Sequence, residues 1–157
     1  GLGDIFSVRI AGNIVNEDIL GSMEFACKVA GSKFIVVLGH TKCGAIKGAC
    51  DGVEMGNLTT LLSKIEPAVK AETQTSENRT AANGEFVENV AEINLRRTVE
   101  LVLAQSPILE EMVQNGEIGI IGAMYDVTSG EVRFYDDTLQ FQNAAKAAAE
   151  KEEVAAQ

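Results

Sequence analysis

The sequence predicts an α/β fold, with a mostly parallel central sheet flanked by helices. Short β-branched segments alternate along the chain with segments of helical periodicity, as in folds of this class. The segment Lys33–Gly39 (KFIVVLG) is apolar on both faces, which is typical of a central parallel strand, and a glycine-bounded loop and a helix follow it. A length of 157 residues predicts one domain, residues 1–157, large enough to bury a core.

The first part of the chain predicts strand, helix, strand, helix. Ile5–Ile10 (IFSVRI) mixes apolar and polar residues near period two, which predicts a strand. Asn16 or Asp18 can cap a helix that continues to about Ala30. After the strand at Lys33–Gly39, a short helix is expected over Ala45–Ala49.

A helix and a long connection are expected in the middle of the chain. Asn57 can cap a helix from Leu58 to about Glu66, and Pro67 should end or kink it because proline lacks an N–H. The polar stretch over residues 71–85 predicts a surface connection.

Two further helices, a hairpin and a helical tail are expected in the last part of the chain. Phe86–Ala104 has a broad apolar face and predicts a long helix. Pro107 can begin a short helix, where its missing N–H costs nothing, and Asn115-Gly116 should end it. Ile118–Val127 and Glu131–Tyr135 predict the two strands of a hairpin around the turn Thr128-Ser129-Gly130. The Ala-, Glu- and Lys-rich segment Asn143–Gln157 predicts a helical tail.

The charge of the chain excludes several classes of partner. Thirteen Lys and Arg against 23 Asp and Glu give a net charge of −10. A chain this acidic is a poor ligand for nucleic acid or an anionic membrane. Its longest apolar run, Phe34–Leu38, is far shorter than the roughly 20 residues that span a bilayer. Because nothing in the sequence signals secretion, we expect a cytoplasmic protein.

Histidine and cysteine chemistry converges on one loop. The chain has a single histidine, His40, and it lies three residues before Cys43 at the end of a predicted strand. Imidazole and thiolate are good Zn²⁺ ligands, and a helix N-terminus favours the thiolate. Cys27 is expected in the core, and Cys50 lies about 10 Å from Cys43 along a continuous helix, too far to share one zinc ion.

The same loop admits a second interpretation. Gly39-x-x-x-x-Gly44 has the glycine spacing of a phosphate-binding loop, which would indicate a nucleotide-binding α/β protein. Ala45 stands where that motif requires lysine, and this makes a nucleotide site the weaker hypothesis.

Blocks along most of the chain resemble the β-class carbonic anhydrases in order and spacing. These blocks are Gly3-Asp4-Ile5-Phe6-x-Val8-Arg9-x-Ala11-Gly12-Asn13, Ser22-Met23-Glu24-Phe25-Ala26, Val36-x-x-Gly39-His40-x-x-Cys43-Gly44-Ala45, Ser106-Pro107-Ile108-Leu109, Ile121-Gly122-Ala123-x-Tyr125-Asp126 and Thr128-x-Gly130-x-Val132. The resemblance implies a zinc lyase that interconverts CO₂ and bicarbonate through zinc-bound hydroxide. It also implies a homodimer or a larger even-numbered oligomer.

The resemblance also implies roles for single residues. His40 and Cys43 would be the second and third protein ligands of the catalytic zinc, and the backbone of Gly44 would border the substrate pocket. Arg9 falls where some members use an arginine at a non-catalytic bicarbonate site.

One family motif has no counterpart in the sequence. The family carries Cys-x-Asp-x-Arg on a central strand before the first matching block, where it supplies the first zinc cysteine and an Asp–Arg pair. The expected Asp and Arg would lie upstream of Gly1, so the sequence contains no identifiable catalytic residue. We therefore expect an N-terminally incomplete domain that lacks one central strand and is impaired in activity. The alternative is a non-catalytic scaffold or interaction protein of the same fold.

Overall fold

A three-stranded mixed sheet forms the centre of the fold in the computed structural model, which describes residue 1 and residues 3–142. The strands are β1 (Phe34–His40), β2 (Gly119–Tyr125) and β3 (Val132–Gln140), in the order β1-β2-β3. β1 and β2 are parallel, with Phe34 opposite Gly119 and His40 opposite Tyr125, whereas β2 and β3 form an antiparallel hairpin. The predicted α/β class is confirmed.

Six α-helices accompany this sheet in the described residues. They are α1 (Glu17–Glu24), α2 (Gly44–Cys50), α3 (Gly56–Ser63), α4 (Glu66–Ala71), α5 (Gly84–Gln105) and α6 (Pro107–Gln114). A 3₁₀ turn at Ala11–Asn13 precedes α1, and a π-helical segment at Phe25–Val29 continues it. The predicted tail helix, Asn143–Gln157, lies outside the described residues. In the part of the chain that the structure describes, no helix is long and apolar enough to cross a membrane.

Local capping explains why two helices begin where the sequence predicts. The Asn16 side chain accepts a hydrogen bond from the Ile19 amide at 2.9 Å, and this confirms it as the cap of α1. Ser106 caps α6 in the same way, through the Leu109 amide at 3.2 Å, and Pro107 occupies the first turn. These signals act over three or four residues and therefore need no tertiary context.

The prediction around Pro67 is wrong. Asn57 caps no helix, because α3 already begins at Gly56. α3 ends at Ser63, before the proline, and Pro67 lies in the first turn of the separate helix α4. Proline is tolerated there since the first-turn N–H groups of a helix have no partner within the helix.

The predicted strand at Ile5–Ile10 is not formed. The segment is irregular in structure up to the 3₁₀ turn. A strand needs a neighbour to complete its ladder of hydrogen bonds, and the sheet of the described residues consists of β1, β2 and β3 alone.

β1 also differs from its prediction, because it lies at an edge of this sheet and only one of its faces is buried. Ile35 and Val37 are buried, whereas Phe34, Val36 and Leu38 are 48%, 46% and 48% exposed. Alternate residues of a strand point to opposite faces, so these three side chains share one face with His40. We call Phe34, Val36 and Leu38 the open sheet face.

The other face of the sheet packs against α5, the helix predicted at Phe86–Ala104. Its inward residues are almost fully buried: Phe86, Val87, Val90, Leu95, Val99 and Val102 are at most 1% exposed. The buried amide of Asn94 also holds the N-terminal 3₁₀ turn, by donating to the Gly12 carbonyl at 2.8 Å. α5 is therefore firmly packed, and the loops that bind to it are held in place relative to the core.

The polar composition of residues 71–85 predicted a connection on the surface, but part of it is buried. Glu72 is only 2% exposed and forms an ion pair with Arg79. The Arg79 guanidinium also lies 4.6 Å from the centre of the Phe86 ring, and it donates to the Val69 carbonyl at 2.8 Å. These contacts anchor the connection to α4 and α5.

Candidate metal centre

His40 and Cys43 lie on either side of a two-residue turn between β1 and α2. His40 is the last residue of β1, and Cys43 directly precedes the first residue of α2. Thr41 and Lys42 form the turn between them. The His40 side chain is exposed, whereas Cys43 is 5% exposed. The two predicted metal ligands thus flank one turn at the carboxyl end of a strand.

A hydrogen bond determines which His40 nitrogen is available to a metal. Nδ1 lies 2.9 Å from the carbonyl oxygen of Thr41. A carbonyl oxygen only accepts hydrogen bonds, so Nδ1 is the donor here, which leaves Nε2 as the ring nitrogen that can bind a metal. Metal-binding histidines commonly have their second nitrogen oriented in this way.

The hairpin of β2 and β3 holds the turn from one side. The Thr41 amide donates to the Tyr125 carbonyl at 2.9 Å, and the Thr41 hydroxyl accepts from the Val127 amide at 3.1 Å. Lys42 Nζ donates to the hydroxyl of Thr128 at 2.9 Å. The turn is therefore fixed relative to the loop that follows β2.

That loop has its own internal support. The Asp126 carboxylate accepts hydrogen bonds from the amides of Ser129, at 3.0 Å, and Thr128, at 2.7 Å. These two amides hold the pKa of Asp126 below its usual range.

Helix α5 holds the turn from the other side through a residue that sequence reasoning missed. Glu88 Oε1 accepts a hydrogen bond from the Lys42 amide at 2.8 Å, across 46 positions of sequence. Lys42 has a φ of +57°, in the left-handed region that non-glycine residues rarely adopt. No local pattern marks Glu88, which occupies a half-buried position on a helix with many acidic residues.

These hydrogen bonds disfavour the nucleotide hypothesis. A phosphate-binding loop offers free backbone N–H groups to its ligand. Here the Thr41 amide is taken by the Tyr125 carbonyl and the Lys42 amide by the Glu88 carboxylate. A carboxylate in that position would also repel a phosphate.

The other two cysteines lie in surroundings that disfavour the thiolate. Cys27 is 3% exposed, and burial raises the pKa of its thiol. Burial and the nearby Asp51 raise the pKa of Cys50 to about 11. Zinc binds the thiolate, which these environments disfavour. Among the described residues, no three His, Cys, Asp or Glu side chains come together as a metal site.

Gly44 and Arg9 are both accessible. Gly44 is exposed, and a Cβ atom built on it would meet nothing within 4 Å, so the space beside its backbone is open. Arg9 is exposed in the irregular N-terminal segment. Two surface grooves, of about 560 and 310 Å³, lie elsewhere, around α5, and neither His40 nor Cys43 lines them.

Gly1 marks the point upstream of which the family's Asp–Arg pair is expected. It is exposed, and its carbonyl accepts a hydrogen bond from the Asp4 amide at 3.2 Å. Gly1 itself has no side chain that could bind a metal or move a proton. The position of the expected Asp and Arg therefore stays a prediction from the resemblance.

Comparison with known proteins identifies the family. The family model of carbonic anhydrase matches residues 1–132. The chain belongs to the β-carbonic anhydrase family. Carbonic anhydrase 2 of Mycobacterium tuberculosis is 30% identical over 141 residues, which are 87% of this chain and 65% of that protein. The carbonic anhydrase of Candida albicans is 30% identical over 82% of this chain and 47% of its own length.

Solved structures of β-carbonic anhydrases share the fold. A structure from Sordaria macrospora, from a study of two tetrameric β-carbonic anhydrases, superposes with a TM-score of 0.72 at 26% identity, over 85% of this chain and 69% of that one. The Coccomyxa β-carbonic anhydrase in complex with acetazolamide gives a TM-score of 0.76 over 96% and 73% of the two chains, and at 22% identity it shows the fold alone. The chain thus spans about two thirds or less of the length of the curated relatives described above.

Proposed function

We propose that this chain is part of a zinc-dependent carbonic anhydrase, a lyase that reversibly hydrates CO₂ to bicarbonate. The observation that carries the proposal is the anchored turn from His40 to Cys43 at the end of β1, in a chain of this family. The chain's relatives from M. tuberculosis and C. albicans bear the name carbonic anhydrase.

The donor atoms of the turn suit zinc chemically. His40 can offer Nε2 because its Nδ1 lies against the Thr41 carbonyl, and Cys43, three residues later, provides a sulfur ligand. A bound zinc ion would supply Lewis-acid activation of water near neutral pH. His40 and Cys43 would hold the metal, and the open backbone of Gly44 would border the space for a small substrate.

Two protein ligands are fewer than a zinc site normally uses. Among the described residues, no third His, Cys, Asp or Glu side chain joins His40 and Cys43 as a metal site. The 157-residue polypeptide alone should therefore bind zinc weakly and hydrate CO₂ slowly, since each missing ligand removes one bond to the metal. A segment of the Cys-x-Asp-x-Arg kind upstream of Gly1 would add the rest of the site.

The proposal includes self-association. The open sheet face presents three large apolar side chains, each close to half exposed, beside the edge of β1 that pairs with no other strand of the described residues. A face of this kind favours burial against another surface. We infer a homodimer or a larger even-numbered oligomer, in line with the tetrameric assembly reported for the Sordaria macrospora proteins. A cytoplasmic location stays a prediction from the sequence.

Zinc binding and CO₂ hydration, measured on the same preparation, test the function. Equilibrium dialysis should show zinc bound to the wild-type chain and not to a folded His40→Ala variant. Stopped-flow measurements with added zinc should show slow hydration that depends on His40. A folded wild-type chain that binds no more zinc than the variant would contradict the proposed enzyme and favour a non-catalytic scaffold.

A further inference from the structure

We propose that Glu88 is a positioning residue of the metal centre. Its carboxylate holds the backbone of Lys42 in the left-handed conformation and so sets the placement of Cys43 relative to His40. This inference rests on the proposed function, because it assigns a role in metal binding to a residue that is not itself a ligand.

Lys42 has a left-handed backbone conformation in the turn between His40 and Cys43. Lys42 is one of the two residues between His40 and Cys43, so its dihedral angles determine how the chain turns from one to the other. A φ of +57° brings the Cβ atom of a non-glycine residue close to its own backbone, which makes this conformation unfavourable in isolation. A tertiary contact is therefore needed to stabilise it.

Glu88 supplies that contact at the backbone itself. The Lys42 amide donates to Glu88 Oε1 at 2.8 Å, and an ionised acceptor makes this a strong type of hydrogen bond. Lys42 Nζ and the Thr41 groups bind the β2–β3 hairpin instead. Within the described residues, Glu88 is the side chain that binds the amide of the left-handed residue.

The position of Glu88 is well defined because α5 is firmly packed. Phe86, Val87 and Val90 are at most 1% exposed, so the turn of helix that carries Glu88 is held by the core. The hydrogen bond from Lys42 to Glu88 therefore holds the turn at a fixed place relative to α5. Without it, Lys42 can relax towards a right-handed conformation, which would change the placement of Cys43 relative to His40.

Cobalt binding tests the proposal without relying on catalysis. Co²⁺ is titrated into the wild-type chain while its thiolate charge-transfer absorption is followed, with Cys43→Ser as the reference for loss of the signal. Glu88→Ala should weaken Co²⁺ binding by about tenfold, the usual effect of losing a residue that orients a metal ligand. Glu88→Gln should bind with intermediate affinity, because its amide oxygen can still accept from Lys42. Glu85→Ala, an exposed acid in the first turn of α5, is the matched control and should bind as the wild type does.

A second substitution distinguishes positioning from general support of the fold. Glycine adopts the left-handed conformation without penalty, so in a Lys42→Gly background the Glu88→Ala change should weaken binding by about threefold or less. Circular dichroism and urea unfolding show whether each variant is folded under the titration conditions.

Two results would overturn the proposal, and they are distinguishable. Equal Co²⁺ affinity of folded Glu88→Ala and wild type would refute the role of Glu88 alone. A wild-type chain without any Cys43-dependent cobalt signal would refute the proposed metal centre and the inference with it.

Discussion

The side-chain amide of Asn94 donates a hydrogen bond to the backbone carbonyl of Gly12 at 2.8 Å, although 82 positions separate the two residues. Asn94 is 4% exposed in the middle of α5, and Gly12 lies buried in the turn before α1. This contact joins the N-terminal turn to the core helix. Gly12 also lies against Ile65, with no room for a side chain.

Gly12→Ala should destabilise the protein by about 3 kcal/mol. Gly12 has a φ of +71°, and an added Cβ would lie 2.5 Å from Cδ1 of Ile65, which is fully buried. The left-handed conformation and the overpacking each cost about 1–2 kcal/mol. The control is Gly130→Ala, where φ is +80° and a Cβ would meet nothing within 4 Å, so only the backbone cost of about 1 kcal/mol applies. Urea unfolding measures both, and equal losses would contradict the predicted role of Ile65.

Replacing the buried Glu72 by glutamine should destabilise the fold by about 2 kcal/mol near pH 7, the scale of a lost hydrogen bond to a charged group. Glu72 accepts from the Thr75 amide at 3.0 Å and from its hydroxyl at 3.1 Å, and it pairs with Arg79. Glu66→Gln is the control, because its ion pair with Lys70 is exposed on both sides and should contribute little. Urea unfolding that gave the two variants the same stability would disagree with this expectation.

The contribution of Glu72 should disappear at acidic pH. Burial alone would raise the pKa of this carboxyl, but the hydrogen bonds from Thr75, Arg79 and Asn89 outweigh it and hold the pKa below the usual value. A lowered pKa in the folded state means that the stabilisation is complete above the unfolded value of about 4.3 and is lost as the pH falls through the folded value. The difference in unfolding free energy between wild type and Glu72→Gln should therefore be constant from about pH 7 to 5 and shrink below about pH 4. A difference that grew on acidification would reverse the sign argued here.

Cys43→Ser should abolish measurable zinc binding, whereas Cys50→Ser should leave it unchanged. Cys43 adjoins His40 in the anchored turn, but the thiol of Cys50 has a pKa raised to about 11 and is protonated at neutral pH. Isothermal titration with Zn²⁺, at matched protein concentration and pH, compares the two serine variants. Loss of binding in Cys50→Ser alone would move the metal centre to the other end of α2.

Val36→Lys should shift the protein towards monomers. Val36 lies at the middle of the open sheet face and is 46% exposed, so a lysine there is tolerated by the folded chain and opposes burial of that face against another copy. Light scattering at micromolar concentration should report a dimer or larger species for the wild type and a smaller one for the variant. Met55→Lys, at a residue 65% exposed directly before α3, is the control. A monomeric wild type would contradict the proposed assembly.

Much of the fold follows from short-range signals in the sequence. Asn16 caps α1 as predicted, and α6 begins at Pro107 as predicted, because such signals act within three or four residues. The apolar periodicity of α5 was sufficient to predict a core helix. His40 and Cys43 are only three positions apart, so they flank one turn in any fold that continues β1 to its end. The order and spacing of the motifs were also sufficient to predict membership of the β-carbonic anhydrase family.

Only the tertiary structure decided which of these segments pair with a neighbouring strand or are buried. Ile5–Ile10 has the pattern of a strand and remains irregular, and the apolar β1 has one open face, because pairing and burial depend on what lies beside a strand. Glu72 is buried in a polar connection since Arg79 folds back over it. The sequence determined the residues of the candidate metal centre, whereas its support by Glu88 arises from a contact across 46 positions, which no local pattern encodes.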